Sequence, residues 1–441
     1  MSATSATLSG WGRVPVVPGH EIRSEDLERI TMNVPLTRGL GRAYGDAALP
    51  APGDSTVAGT MLGNRIQSFD QDTGILKAEA GLSLDDLYRV FLPRGYFTPV
   101  SPGTRFVTLG GMVASDVHGK NHHVEGCFGR HVVTLTVRVA DGSIVTCSPT
   151  EHSDLFRATI GGMGLTGHIL DVTVRLARVP SPWILQETER VTDIDTFSDG
   201  LKTASTNWPM TVGWIDCMSQ GSRLGRGILY RGRWAKPSEA PKAFPAIRSP
   251  LTVPFTMPGW LLGRLAVRAF NAANFRKHPR RVKRRIVHPS AFFYPLDSFG
   301  EWYRLYGRRG FTQHQSVLPE SGRRGAARRF LELVTQNGGT SFLCVIKDCG
   351  AEGEGMLSFP KPGISIALDI PMRADTPALV DRLNEFVCAE GGRVYLAKDA
   401  LTRPEHFRAM EPRLDEFLRV RRKWDPDGRI RSAQSIRLFG W

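Results

Sequence analysis

Three separated stretches of this 441-residue chain consist largely of bare backbone, and together they constrain its fold more than any other feature. The first is Thr37-Arg38-Gly39-Leu40-Gly41-Arg42-Ala43-Tyr44-Gly45-Asp46. The second runs from Pro99-Val100-Ser101-Pro102-Gly103-Thr104 to Leu109-Gly110-Gly111-Met112, and the third is Gly161-Gly162-Met163-Gly164-Leu165-Thr166-Gly167. Glycine lets a chain turn tightly and approach a ligand, and successive N–H groups in such a turn converge on phosphate oxygens. Taken alone, the first stretch reads equally as a phosphate cradle or an ordinary turn. The third holds a literal GxGxxG at Gly162, Gly164 and Gly167, but a dinucleotide fingerprint must follow a strand and open a helix. Here a helical pattern, Ser153 to Ile160, precedes it and an alternating strand, Ile169 to Leu176, follows, which excludes a Rossmann NAD site.

The chain is long enough for two or three domains, and 41% hydrophobic with 23% charged residues is ordinary globular composition. Leu76 to Ala80 alternates like a strand. Ser83 then caps a helix beginning Leu84-Asp85-Asp86. Val132 to Val139 and Ile144 to Thr146 read as strands joined by a hairpin turn at Ala140-Asp141-Gly142-Ser143. Farther on, Gly325 to Asn337 and Thr376 to Glu390 are helical patterns, and Ser341 to Lys347 and Gly363 to Ile370 are strands. The Pro-rich, basic stretch Lys236 to Arg285 reads as mobile surface, and the chain from Arg393 onward returns to short apolar runs. Strands and helices without regular βαβ alternation indicate an α+β fold rather than a doubly wound sheet. The expected units are 1–178, 179–392 and a C-terminal segment 393–441 that returns to the first.

His118, Lys120, Asn121, His122 and His123 crowd polar groups into six positions. A metal is not expected there, because adjacent His122 and His123 point apart and no Cys or carboxylate stands at ligand spacing. The six cysteines form no CxxC pair and read as free thiols in a reducing compartment. The N-terminus lacks the basic and apolar regions of a signal peptide, and no stretch reaches the length of a membrane span. Leu251 to Phe270 comes nearest, but Pro254, Pro258, Arg264 and Arg268 interrupt it, which leaves an interfacial segment open. The net charge of +14 either attracts anions or serves solubility, and much of it lies in one run, Arg276 to Arg285. No nucleic-acid recognition module accompanies that charge. The run suits a bilayer surface equally with a solvated loop, with Leu261, Leu262, Leu265, Val267 and Phe270 as the apolar contact.

In order and content the three glycine segments resemble the FAD-binding domain of the vanillyl-alcohol oxidase (p-cresol methylhydroxylase, PCMH-type) superfamily. With RGLGRAYGD from Arg38, HGKNHH from His118, FYPLDSFGEWYRLYG from Phe293, LSFPKPG from Leu357 and YLAKD from Tyr395, the chain is similar to the decaprenylphosphoryl-β-D-ribose 2-oxidase family. The resemblance implies a two-subdomain FAD-binding domain and an α+β substrate domain with an antiparallel sheet. It implies oxidation of the ribose 2-hydroxyl of a polyprenyl-phosphate sugar. An NAD(P)H-dependent keto-reductase partner then completes epimerisation to arabinose. It further implies a cytoplasmic enzyme held peripherally at the membrane, without nucleic acid.

Carried over residue by residue, Gly39, Gly41, Arg42 and Tyr44 fall in the first FAD loop. Gly103, Thr104, Gly110 and Gly111 fall in the second, and Gly164 and Ile169 in the third. His118, Lys120 and Asn121 match the stretch along the flavin ring and substrate pocket, and Tyr395 and Lys398 the stretch at the isoalloxazine. Gln315 and Lys347 match polar groups of the substrate pocket, with Trp214 and Tyr294 as its aromatic wall. Non-covalent FAD is expected. Relatives often carry Asn-Ile-Cys where this chain has Ser365-Ile366-Ala367, so no cysteine chemistry is assigned to the pocket wall.

Oxidising a secondary alcohol sends a hydride to the flavin while a base takes the hydroxyl proton. Lys398 is the first candidate for the cation beside the developing charge, with His118 and Tyr44 for the proton. The other enzymatic reading is a sugar-alcohol or aldonolactone oxidase, against which stands the absence of that group's HWxK-type C-terminal signature.

Overall fold

Alternating side chains build two small sheets in the first 175 residues of the chain. The computed structural model describes residues 2–4, 7–246, 250–322 and 325–441. One sheet holds β1 (Ser2–Thr4), β2 (His20–Arg23), β3 (Thr37–Arg38) and β4 (Thr56–Gly59) in the order β1-β2-β4-β3, with β4 parallel to both neighbours. The other is antiparallel: β5 (Ile66–Asp70), β6 (Ile75–Glu79), β7 (Val132–Arg138), β8 (Ile144–Cys147) and β9 (His168–Arg175), in the order β8-β7-β9-β6-β5. Leu76, Ala78, Leu135, Val137, Val172 and Val174 send one face of this sheet into a shared core.

Helices α1 (Leu84–Phe91), α2 (Leu109–Ala114) and α3 (Ser153–Thr159) belong to the same part of the chain. Ser83 caps α1 as expected, accepting from the Asp86 N–H at 3.0 Å. The Gly161–Gly167 segment lies between α3 and β9, in the non-Rossmann order that the sequence indicates.

The rest is dominated by one eight-stranded antiparallel sheet. Its strands are β10 (Ile184–Val191), β11 (Met210–Ile215), β12 (Gly227–Trp234), β13 (Lys283–Val287), β14 (Phe311–Pro319), β15 (Cys344–Cys349), β16 (Gly363–Pro371) and β17 (Arg393–Val394). Their order is β13-β10-β12-β11-β15-β16-β14-β17. Around it stand α4 (Ile194–Asn207), α5 (Arg264–Lys277), α6 (Pro289–Phe293), α7 (Ala326–Gln336) and α8 (Thr376–Ala389). Phe197 and Leu201 of α4, Phe330 of α7 and Leu383 of α8 share a core with Ile346, Ile366 and Leu368 of the sheet. Strand alternation therefore turns Lys347, Ala367, Gln313 and Gln315 to the opposite face, where the site forms. Helices beside mainly antiparallel sheets make this an α+β architecture.

Four expectations are corrected. The basic stretch is not simply mobile surface: it contains α5 and the edge strand β13, although residues 247–249 lie outside the described residues. Helix α5 is held by Val267, Asn271 and Phe275, one face of a helix, and Asn271 Nδ2 donates to Asp216 Oδ1 (3.0 Å) and to the Ser341 carbonyl (3.2 Å). Val267 thus belongs to the core rather than to an outward apolar patch. The strand expected from Ser341 begins at Cys344, because Ser341 Oγ donates to the Leu343 carbonyl and closes a turn. The tail after Arg393 is largely helical: α9 (Pro404–Met410), α10 (Leu414–Trp424) and α11 (Ala433–Phe439). Leu414, Phe417 and Val420 give α10 its buried stripe, and a Ser432–Ser435 capping box opens α11. The Ala433 N–H bonds the Leu49 carbonyl and Arg437 pairs with Asp46, which returns the tail to the first sheets.

Candidate active site

All three glycine segments border a single cavity of about 850 Å³, whose other wall is the open face of the eight-stranded sheet. The first loop leaves β3, turns at Gly41 with φ +63°, and passes so close to α2 that a Cβ on Gly39 would lie 2.4 Å from the Thr108 hydroxyl. That hydroxyl caps α2, accepting from the Gly111 N–H at 3.2 Å, so a side chain at Gly39 would disturb both loops. Gly39, Gly41, Arg42, Tyr44, Gly103, Thr104, Gly110, Gly111, Gly164 and Ile169 all line the cavity. So do His118, Lys120, Trp214, Gln315, Lys347, Tyr395 and Lys398.

Asn121 and Tyr294 do not line it. They stand behind its wall and fasten one loop: Asn121 Nδ2 donates to the Pro99 carbonyl at 2.7 Å, and the Tyr294 hydroxyl bonds Ser101 Oγ. Tyr294 is 0% exposed, so its ring supports the pocket from beneath. Lys120 reaches the cavity, but its ammonium donates to the Phe292 and Phe293 carbonyls, tying the His118–His123 stretch to α6.

Around Lys398 the groups are tightly arranged. The short turn after β17 places its ammonium 3.9 Å from the Tyr44 ring centroid, while the Tyr44 N–H donates to the Ala397 carbonyl at 2.9 Å. Burial pushes the Lys398 amine down to about 7; Asp369 opposes this and Lys347 reinforces it. Asp369, fully buried on β16, accepts from Gln313 Nε2 and from the Tyr306 hydroxyl (3.1 Å), and burial raises its carboxyl. Burial also drives the Tyr44 phenol well above its ordinary range, with Asp369 adding to the effect.

His118 sits with its ring 5.0 Å from that of Tyr395, whose hydroxyl donates to the Ser115 carbonyl. Gln315 Nε2 donates to His118 Nε2 (2.9 Å) and to Ser365 Oγ (3.2 Å). An imidazole that accepts at Nε2 carries its proton on Nδ1. That Nδ1 is buried with no partner among the described residues. Burial, then Lys347, His122 and Lys398, hold His118 well below its usual range, hence neutral. Lys347 forms no ion pair or hydrogen bond among the described residues, and burial lowers its amine as well.

Sequence reading missed Gln313 and Asp369. Gln313 is two residues from Gln315 on one strand, and period-two alternation alone would have placed it on the same face. Asp369 is separated from Ala367 by the same step on β16.

The residues present fit a dinucleotide with an aromatic ring. Arg42 stacks 3.8 Å from the Trp11 ring centroid, makes no ion pair, and has a buried Nε without a partner among the described residues. A buried guanidinium in that state is suited to a phosphate. No group of three metal-ligating side chains occurs among the described residues.

Comparison with known proteins agrees with the geometry. The FAD binding domain family matches residues 33–148. The chain is 36% identical to decaprenylphosphoryl-β-D-ribose oxidase of Mycolicibacterium smegmatis, over 99% of this chain and 98% of that one. It is 33% identical to an uncharacterized protein in the mprA 5′ region of Streptomyces coelicolor, over 81% of this chain and all of that one. D-arabinono-1,4-lactone oxidase of Yarrowia lipolytica is 28% identical, over 53% of this chain and 44% of that one.

Proposed function

The chain belongs to the decaprenylphosphoryl-β-D-ribose oxidase family and is an FAD-dependent oxidoreductase, and we propose that it oxidises the 2-hydroxyl of a polyprenyl-phosphoryl-β-D-ribose to the 2-keto sugar. The observation that carries this reading is the convergence of three glycine segments, Lys398 and His118 on one cavity. Within the α+β fold, residues 1–178 form the PCMH-type FAD unit, 179–392 the substrate unit and 393–441 the returning tail. Arg42 and the backbone around Gly41, Gly103 and Gly111 would hold the diphosphate of FAD, and His118 and Tyr395 would border its ring. Bound FAD supplies the acceptor for the hydride that leaves the sugar carbon.

The remaining chemistry belongs to side chains. His118 offers no lone pair, since Nε2 is engaged by Gln315 and Nδ1 carries the proton; it orients a ligand by donating. The Tyr44 phenol is too weakly acidic to be ionised near neutrality. Lys398, with its amine near 7, is roughly half neutral at pH 7 and takes the hydroxyl proton. The resulting ammonium stays beside the new carbonyl oxygen. Lys347, a half-buried cation with no anionic partner among the described residues, receives the phosphate. Gln315 positions His118 through its amide nitrogen.

Among the described residues no helix is long and apolar enough to cross a membrane. Trp260 and Leu265 are among the most exposed large apolar side chains, next to Arg264, Arg268 and Arg276 on α5. This face is suited to peripheral contact with an anionic bilayer on the cytoplasmic side. Co-sedimentation with anionic vesicles that is lost in Trp260→Glu tests that contact. The keto product is a substrate for an NAD(P)H-dependent keto-reductase, which completes the epimerisation.

The test of the activity is an absorbance spectrum followed by anaerobic titration. The purified protein is expected to be yellow and to bleach with polyprenyl-phosphoryl ribose but not with free ribose. A colourless protein, or bleaching by the free sugar alone, would refute the assignment.

A further inference from the structure

The sheet face that borders the cavity is crossed from one side to the other by lining residues. They begin at Gln313 and Gln315 on β14, pass Ala367 on β16, Val345 and Lys347 on β15 and Val212 and Trp214 on β11, and reach Tyr230 on β12 and Gln186 on β10. Five strand spacings of ~4.8 Å make this path ~24 Å long. Lys398, His118 and Gln315 stand at one end. Helix α5 borders the path toward its other end: Phe270 meets the Phe342 ring, centroids 5.8 Å apart, and Asn274 and Lys277 follow toward His278, which bonds the Tyr230 hydroxyl on β12.

Those three residues are spaced four and three apart, which puts them on one stripe of the helix. The adjacent stripe, Val267, Asn271 and Phe275, is buried, and Phe275 belongs to a core cluster with Trp214 and Ile228. Helix α5 is thus fastened to the sheet by one stripe and closes over the cavity with the next. Phe270 lines the cavity and is also 51% exposed, and Lys277 beside it is exposed, so the cavity reaches the surface at this helix. Between Lys347 and Lys277 the wall is mainly apolar or aromatic: Trp214, Val345, Tyr230, Phe342 and Leu343. The single carboxylate among the lining residues, Asp297, lies beside Thr104 and Arg42 at the FAD loops.

We infer that the prenyl chain of the lipid-phosphate substrate lies in this passage between the sheet face and α5, and emerges between Phe270 and Lys277. The inference rests on the activity proposed above, and follows from its geometry. The phosphate is joined to the carbon next to the one oxidised, so it must sit close to Lys398 and His118; Lys347, whose charge acts on both, stands two strands from Gln315. The lipid then has to continue away from the ring, and the apolar lining beyond Lys347 is the surface matched to it. The exposed face of the same helix, with Leu265, Arg264 and Arg268, meets the bilayer from which the chain is drawn.

The experiment compares a long (decaprenyl) with a short (geranyl) phosphoryl ribose in anaerobic flavin reduction by the FAD-loaded protein. Asn274→Trp puts an indole across the passage; Phe270→Ala removes contact at the mouth; Ala269→Trp places the same bulk on the exposed side of α5, off the stripe that borders the cavity. The ratio of KM for the long substrate to KM for the short one is expected to rise about tenfold in Asn274→Trp and by a smaller factor in Phe270→Ala. Ala269→Trp is expected to keep the ratio of the unmodified chain. An unchanged ratio in both Asn274→Trp and Phe270→Ala, with both substrates still bleaching the flavin, would overturn the passage and leave the activity standing. Failure of both substrates with the unmodified chain would instead remove the activity, and the passage with it. Retained flavin absorbance shows that each variant is folded, and Phe270→Ala decides the matter alone if Asn274→Trp is not.

Discussion

Replacing Lys398 by arginine separates a base from a mere cation at the reacting oxygen. An ordinary lysine, near 10.4, is a free amine in about one molecule in 2,500 at pH 7; near 7 it is so in about half. The cause of the difference is visible. The amine is buried, Lys347 adds like charge, and Asp369 only partly compensates. The pH dependence follows with a definite sign. The working form is the neutral one, so flavin reduction should rise as pH climbs through about 7 and level off above it. Arginine keeps the positive charge at all accessible pH values and cannot supply a base. Lys398→Arg should lower the rate of anaerobic flavin reduction by about 10²–10⁴ and abolish the rising limb. Stopped-flow absorbance from about pH 5.5 to about pH 9 reads both. A variant that keeps the limb near 7, or keeps most of the rate, would show that the proton goes elsewhere.

Three further outcomes follow from the same arrangement. Asp369→Asn removes the anion that raises the Lys398 amine, so the rising limb should move to lower pH, with Asp369→Glu restoring it toward the original position. Gly39→Val drives a side chain into the Thr108 hydroxyl, so the purified protein should carry less flavin, read as the ratio of flavin to protein absorbance. Arg437 pairs with Asp46 and Asp399, both buried, at 2.8 Å each. Arg437→Ala strands both carboxylates and should cost about 3 kcal/mol, the low end for a broken buried pair because the guanidinium is partly exposed; a lowered urea midpoint measures it.

What could be read before the structure follows a physical pattern. The Ser83 cap, the Gly142 hairpin and the alternation of Ile169 to Leu176 depend on neighbours in sequence, and each falls where its local signal puts it. The glycine segments were legible because only a chain without Cβ atoms passes as close to α2 as Gly39 does. Helix α5 was obscured because the cations surrounding Val267, Asn271 and Phe275 carry the polar signal of a loop, whereas those three are held by residues such as Asp216 and Ser341 far along the chain. Asn121 and Tyr294 show a different limit. A motif brings residues to a neighbourhood, but which side of the wall they face depends on Pro99 and Ser101, contacts the motif does not contain. Gln313 and Asp369 were readable from period two and become chemically meaningful only once Lys398 stands above them.

The most direct measurement of the central claim is the rate of flavin bleaching with polyprenyl-phosphoryl ribose carrying deuterium at C2, against the same lipid with deuterium at C3. If the bond broken beside Lys398 is the one at C2, only the first label should slow the reduction. Equal rates with both, or slowing by the C3 label instead, would contradict the account.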